Sequence, residues 1–367
     1  MTNYYLPTNV RYGLNTFSEV EVILNKVNPK NILLFRGSSS VKKHGHLDTL
    51  LGFSDADYTQ VKVNREPDDK LIEESLDHAQ DADIVIGLGG GSVLDAAKAV
   101  AVLAENNVAL CDVLEDNTLL TEPSLPFLAI PTTSGTGSEV TRVSVVSDTV
   151  RDVKISFRSK HMYPDYAVVD PALTLSCPRP VTASTGLDAL THALESYTSR
   201  ASTPVTELFA YESLKLIEES LLGAYQRGDN IGFRQKMAKA SLFAGMALSN
   251  SGVGMCHGIA HAIGHRFRIP HGVICGFLLP YSVQENGVVQ EKYSQAAQAF
   301  GLSDASQLTQ YLFDLNRELG LKKTLSEYGV GGEDLPWIAE NSFSGSMRVN
   351  PKKMTKSGVS DLLARML

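Results

Sequence analysis

The chain is poor in the features that would place it outside ordinary folded, soluble proteins. Its four cysteines, Cys111, Cys177, Cys256 and Cys275, show no CxxC spacing, which excludes a thiol redox motif and gives no sign of a disulfide framework. They read as small buried hydrophobes. Cys256 abuts His257, but neighbours on a helix point about 100° apart, so it is not taken as a ligand. Apolar runs such as 99–104 fall far short of the roughly 20 residues that span a bilayer. The N-terminal MTNYYLP lacks the charged and apolar regions of a signal peptide, and the chain is expected in the cytosol. A net charge of −8 and the absence of a Lys/Arg run argue against nucleic-acid partners. No internal repeat or low-complexity tract is visible.

At 367 residues, two domains are the natural expectation. In the first half, short β-branched runs at 31–35, 84–88, 126–130 and 167–169 read as buried strands. Helical patterns at 69–81 and 92–103 lie between them. This alternation predicts a mostly parallel, Rossmann-like α/β sheet covered on both faces. Beyond about Thr182 the strand pattern fades. Stretches 187–197, 204–225, 233–250, 257–266 and 290–300 predict an all-α second half. The boundary is set at Ser176-Cys177-Pro178-Arg179-Pro180, read as a linker, which gives domains 1–178 and 179–367.

Three loops carry the chemistry of a phosphate-bearing ligand. Gly89-Gly90-Gly91-Ser92 follows a strand and opens a helix, where bare glycines and free N–H groups suit a pyrophosphate. A capping box, Ser92-x-x-Asp95, would occupy the same N–H groups. Pro131 to Glu139 packs five hydroxyls and two glycines into nine residues, donors suited to ribose or phosphate oxygens. Gly37-Ser38-Ser39-Ser40, with Lys42 and Lys43, lacks the acidic residue that holds a ribose 2′-hydroxyl and suits a 2′-phosphate better.

The second half concentrates imidazole. Four of nine histidines fall at His257, His261, His265 and His271, and His192 stands four residues after Asp188. One carboxylate with imidazoles forms a borderline-hard set for Fe²⁺, Zn²⁺, Co²⁺ or Ni²⁺. Spacing alone does not say which of the i, i+4, i+8 histidines bind. His271, between Pro270 and Gly272, is expected off the helix, in a loop. Thr185-x-x-Asp188 has the spacing of a helix cap, an alternative role for that carboxylate.

GGGSVLDAAKAVA, PTTSGTGSEVT, the Lys154 to Asp170-Pro171 stretch, TGLDALTHALESY and HGIAHAIGHRFRIPHG, in this order, resemble the signatures of the iron-containing (group III) alcohol dehydrogenases. Tyr12-Gly13 and the Ser38–Ser40 loop extend the likeness upstream. The resemblance implies a dinucleotide-binding domain and a helical domain with the active site in the cleft between them. It implies Asp188, His192, His257 and His271 as metal ligands and His261 as a proton relay near nicotinamide and substrate. Gly90, Gly91 and Ser92 match pyrophosphate contacts; Thr132, Thr133, Thr136 and Lys154 match further cofactor contacts; Gly37, Ser38 and Ser40 resemble the NADP-preferring branch. Many members carry Asn-Pro where this chain reads Glu66-Pro67. The expected function is NADP(H)-preferring, metal-dependent oxidoreduction of a small alcohol or aldehyde by a homodimer or higher homo-oligomer, with Fe²⁺ as the metal and Zn²⁺ or another divalent ion as a substitute. The rival readings are a dehydroquinate synthase-like lyase and a non-catalytic nucleotide- or metal-binding protein.

Overall fold

The computed structural model describes residues 3–37 and 40–367. The chain divides into two compact units, one formed by Tyr5–Pro178 with Gly228–Leu242, the other by Arg179–Arg227 and Phe243–Leu367 with Asn3 and Tyr4.

The first unit is built on a six-stranded sheet in the order β1-β8-β5-β4-β2-β3: β1 Asn9–Tyr12, β2 Asn31–Gly37, β3 Asp57–Val63, β4 Ile84–Gly89, β5 Phe127–Pro131 and β8 Tyr166–Val169. Every neighbouring pair runs parallel. Because side chains alternate along a strand, each central strand supplies two cores. Leu33 and Phe35 of β2, Val85 of β4 and Phe127 of β5 pack on one face with Leu94 and Ala97 of the helix Gly91–Asn106. Ile32, Leu34, Ile86 and Leu128 pack on the other with Val20 and Leu24 of the helix Glu19–Val27. Both faces are buried, hence the near-continuous apolar runs in the sequence. Truncating one of these leucine, isoleucine or phenylalanine side chains to alanine is expected to cost about 2–5 kcal/mol. A hairpin of β6 Val143–Asp148 and β7 Val153–Arg158 forms a separate antiparallel pair.

The expected strands lie at these positions, three of them extended by one or two residues and the one expected over 126–130 shifted by one to Phe127–Pro131. β1, β3 and the hairpin were not anticipated, since β3 is largely exposed and shows no clean alternation. The helix expected over 69–81 ends at Leu76. The stretch 204–225 forms two helices, Pro204–Glu218 and Leu221–Gln226.

The second unit is helical, and among the described residues no strand lies beyond Val169. The expected linker is not free of helix, because Arg179–Thr198 is one continuous helix with Pro180 in its first turn. Proline is tolerated there because that N–H has no intrahelical partner to lose. The same helix start overturns the capping role for Asp188, which lies well inside the helix. Among the described residues no helix is long and apolar enough to cross a membrane. The four cysteines form no disulfide, and Cys111 is exposed and Cys177 only partly buried, against the expectation that all four are buried.

Candidate metal centre and nucleotide loops

Three helices of the second unit bring the metal-type donors together. Asp188, His192 and Glu195 occupy one face of Arg179–Thr198 by i, i+4, i+7 spacing. His257 and His261 lie on Met255–Phe267. His271 is the first residue of the helix His271–Glu285, which corrects its expected placement in a loop. Pro270 occupies the N-cap position, where its fixed φ serves as a lead-in. The helix that follows is buried on almost every side, so no amphipathic period marked it in the sequence.

Close backbone approach sets the geometry. A Cβ on Gly272 would lie 1.9 Å from the Ser184 carbonyl oxygen and 3.0 Å from the Asp188 Cβ, and one on Gly276 would lie 2.8 Å from Leu187. Glycine at these two positions lets the backbone carrying His271 reach the helix carrying Asp188. His257 Nε2 lies 3.6 Å and His271 Nε2 3.9 Å from Asp188 Oδ1. His192 Nδ1 is 4.0 Å from Asp188 Oδ2, and its ring stacks on that of His257 with centroids 4.3 Å apart. The His261 ring stacks on that of His271 at 5.0 Å. Asp188, His257 and His271 offer donor atoms all within 4.8 Å of one another, and a fourth donor in this set is Cys275.

Asp188 and His257 are 4% and 3% exposed. Asp188 Oδ1 and His257 Nε2 are buried without a hydrogen-bond partner. Such orphaned atoms are costly, and a cation between them would satisfy both. Two donors about 2.0–2.2 Å from one ion at the tetrahedral angle sit about 3.3–3.6 Å apart, close to the spacings seen here. The donor set therefore fits a divalent metal. Burial would raise the Asp188 carboxyl, but His192, His257 and His271 outweigh it and hold the group well below the usual carboxylate range. It stays ionised, as a ligand must.

Glu195 was missed in the sequence although it lies three residues beyond His192. Its buried carboxylate accepts from the N–H groups of Gly254 at 2.8 Å and Cys256 at 2.7 Å and lies 2.6 Å from His257 Nδ1. It caps the helix Met255–Phe267 and fixes which His257 nitrogen faces the cluster. Burial pushes its carboxyl up, while the His257 bond and the two N–H groups bring it below its ordinary value.

In the sheet unit, the helix Gly91–Asn106 begins after Gly90 with no side-chain cap. This corrects the capping-box alternative. Asp95 instead accepts from the Ser138 hydroxyl at 2.7 Å and the Val145 N–H at 3.1 Å. The first N–H groups of the helix are thus left without a carboxylate partner from that spacing. The two hydroxyl-glycine loops meet: a Cβ on Gly91 would lie 2.5 Å from the Thr136 methyl and one on Gly90 3.3 Å from Thr133. The Thr132 N–H donates to the Gly89 carbonyl at 2.9 Å. Below them the buried Lys98 donates to the Ser138 carbonyl and hydroxyl and to the Val143 carbonyl, each at 2.8 Å. Burial lowers its pKa to about 8 against the pull of Asp95 and Glu139. Lys98 escaped sequence reading and Asp95 was read only as a helix cap; two charges in an alanine-valine helix were the available signal.

Lys154 lies on β7 with its side chain 6% exposed, ion-paired with Glu66. The sequence-expected cofactor contact and the departure from the family pattern therefore touch. Gly37 closes β2 and accepts from the Arg36 guanidinium. Ser38 lies outside the described residues; Ser40 opens the short helix Ser40–Lys43.

Two family models match the chain: the iron-containing alcohol dehydrogenase model over residues 7–171 and the C-terminal model of the Fe-containing alcohol dehydrogenase family over residues 182–367. The chain is 31% identical to the NAD-dependent methanol dehydrogenase of Bacillus methanolicus, over the whole of both chains. It is 33% identical to the NADPH-dependent butanol dehydrogenase of Clostridium saccharobutylicum, over 97% of this chain and 95% of that one. A crystal structure of 1,3-propanediol oxidoreductase superposes with a TM-score of 0.92 at 31% identity, covering 100% of each chain. The chain belongs to the iron-containing alcohol dehydrogenase family.

Proposed function

We propose that this protein interconverts a small alcohol and its aldehyde, with a nicotinamide cofactor and a divalent cation. The observation that carries the reading is the buried pair Asp188 Oδ1 and His257 Nε2, 3.6 Å apart without a hydrogen-bond partner and with His271 alongside, in a chain of this family. Asp188, His192, His257 and His271 would hold the cation, Fe²⁺ in the working enzyme and Zn²⁺ as its chief competitor. When bound, the cation supplies a Lewis acid for the substrate oxygen, and the nicotinamide gives or takes the hydride.

The chain's own side chains then position and move protons. Ionised Asp188 offsets part of the ion's charge, and Glu195 orients His257 toward it. His261, stacked on His271, is suited to carry the proton between substrate oxygen and solvent. In the sheet unit, Gly90, Gly91 and Ser92 would receive the pyrophosphate on uncapped N–H groups, with Thr132, Thr133 and Thr136 lining the adjoining loop and Lys154 held by Glu66. Because no acidic residue stands at Gly37–Ser40, NADP(H) is the preferred cofactor. Relatives of both preferences exist by name, so the choice rests on this loop.

The test follows NADPH and NADH oxidation with short aliphatic aldehydes after chelator treatment and anaerobic reloading with Fe²⁺ or Zn²⁺. Metal-restored turnover favouring NADPH is expected. Turnover favouring NADH would refute the 2′-phosphate argument alone, and no turnover at full metal occupancy would overturn the activity. Asp188→Ala and His271→Ala should lose metal and turnover together; full activity in His271→Ala would refute the ligand assignment.

A further inference from the structure

Cys275 stands one turn after His271 on the same buried helix. Its Sγ is 3.6 Å from His271 Nε2 and within 4.8 Å of the donor atoms of Asp188 and His257 as well. A sulfur about 2.3 Å and an imidazole nitrogen about 2.0 Å from one ion lie about 3.5 Å apart at the tetrahedral angle and about 3.7 Å apart at about 120°, the wider angle open to a five-coordinate ion. Independently, Asp188 Oδ1 and His257 Nε2 are aimed into the same space without hydrogen-bond partners. We propose that Cys275 is a further, fifth protein ligand of the ion beside Asp188, His192, His257 and His271, giving a mixed nitrogen, oxygen and sulfur centre. Its thiol proton passes to solvent as the metal–sulfur bond forms. The consequence is selectivity: a soft thiolate favours Zn²⁺ and Co²⁺ over Fe²⁺ relative to an all-imidazole and carboxylate set.

This rests on the metal reading above, and the experiment separates the two. Chelator-stripped protein is loaded with Co²⁺, desalted, and its absorption spectrum recorded beside those of Cys275→Ser, Cys275→Ala and the exposed-thiol control Cys111→Ser. The expected wild-type spectrum has visible d–d bands and an intense near-ultraviolet sulfur-to-cobalt charge-transfer band. That band should be lost in both Cys275 variants and kept in Cys111→Ser. Retained d–d bands without the charge-transfer band in wild type would overturn the sulfur ligand and leave the metal centre standing. A charge-transfer band that survives in Cys275→Ala would belong to another thiol, and would likewise overturn Cys275 as the ligand. No cobalt retained after desalting would overturn the centre and the ligand together. The wild-type spectrum decides even where a variant fails to fold.

Discussion

Glu195 serves two structures with one carboxylate: it ends a helix and sets the ring orientation of His257. A partner of this kind fixes the tautomer of a ligating imidazole and raises its basicity. Glu195→Gln should therefore lower metal affinity about 10- to 100-fold, read by chelator competition. An unchanged affinity would show that the bond only caps the helix. Asp188 and the histidines were legible as residues because metal chemistry selects few side chains. Cys275 and Glu195 were not, because their relevance depends on knowing which helices continue. Once His271 was expected in a loop, the i, i+4 relation to Cys275 had no meaning. Glu195, among neutral neighbours, looked like an ordinary acid until the turn before Met255 was placed over it.

At the scale of elements, glycines decide how closely helices approach. Gly272→Ala puts a methyl group into the Ser184 carbonyl, and backbone cannot yield as a flexible side chain can. It should cost about 1–3 kcal/mol, seen as a lowered denaturation midpoint, with weaker metal binding because Asp188 and His271 are spread apart. Wild-type stability in that variant would mean the two helices slide freely. The loop after β5 carries a different dependence. Burial pushes the Glu139 carboxyl up to about 7, from an ordinary 4.5, against the influence of its own backbone N–H and Lys98. Between those values the folded chain holds a proton that the unfolded chain has released. Stability from this group is thus fully present below about pH 4.5 and lost as pH rises through 7, by about 3 kcal/mol. Lys98 remains largely protonated in both states over that window and contributes little slope. Denaturation of wild type and Glu139→Gln across pH 4.5–7.5 should show the slope in the first and its loss in the second; equal slopes would refute the assignment.

For the whole molecule, a metal that binds only the folded helical unit stabilises it by mass action. Free metal at about 100 times its Kd adds about 2.7 kcal/mol, so chelation should lower the melting temperature and Asp188→Ala should abolish the difference. A chelator-insensitive wild type would contradict a site formed on folding. The fold class was readable because strands buried on both faces and long helices differ in period. The short exposed strand β3 and the all-apolar helix after Pro270 were not, since neither shows a period tied to one buried face.

The sheet unit is not one continuous piece of chain. Residues Gly228–Leu242 belong to it: the Arg234 guanidinium donates to the Cys177 carbonyl at 2.9 Å, and the Tyr12 hydroxyl donates to the Gln235 carbonyl at 3.0 Å. During synthesis, the N-terminal unit therefore lacks these contacts when residue 178 leaves the ribosome. They are complete only once residue 242 is free, with Arg179–Arg227 of the other unit already exposed. Domain-by-domain folding from the N-terminus would thus leave the first unit without this segment, and a gene cut at the sheet's apparent end would yield a fragment lacking part of its own wall.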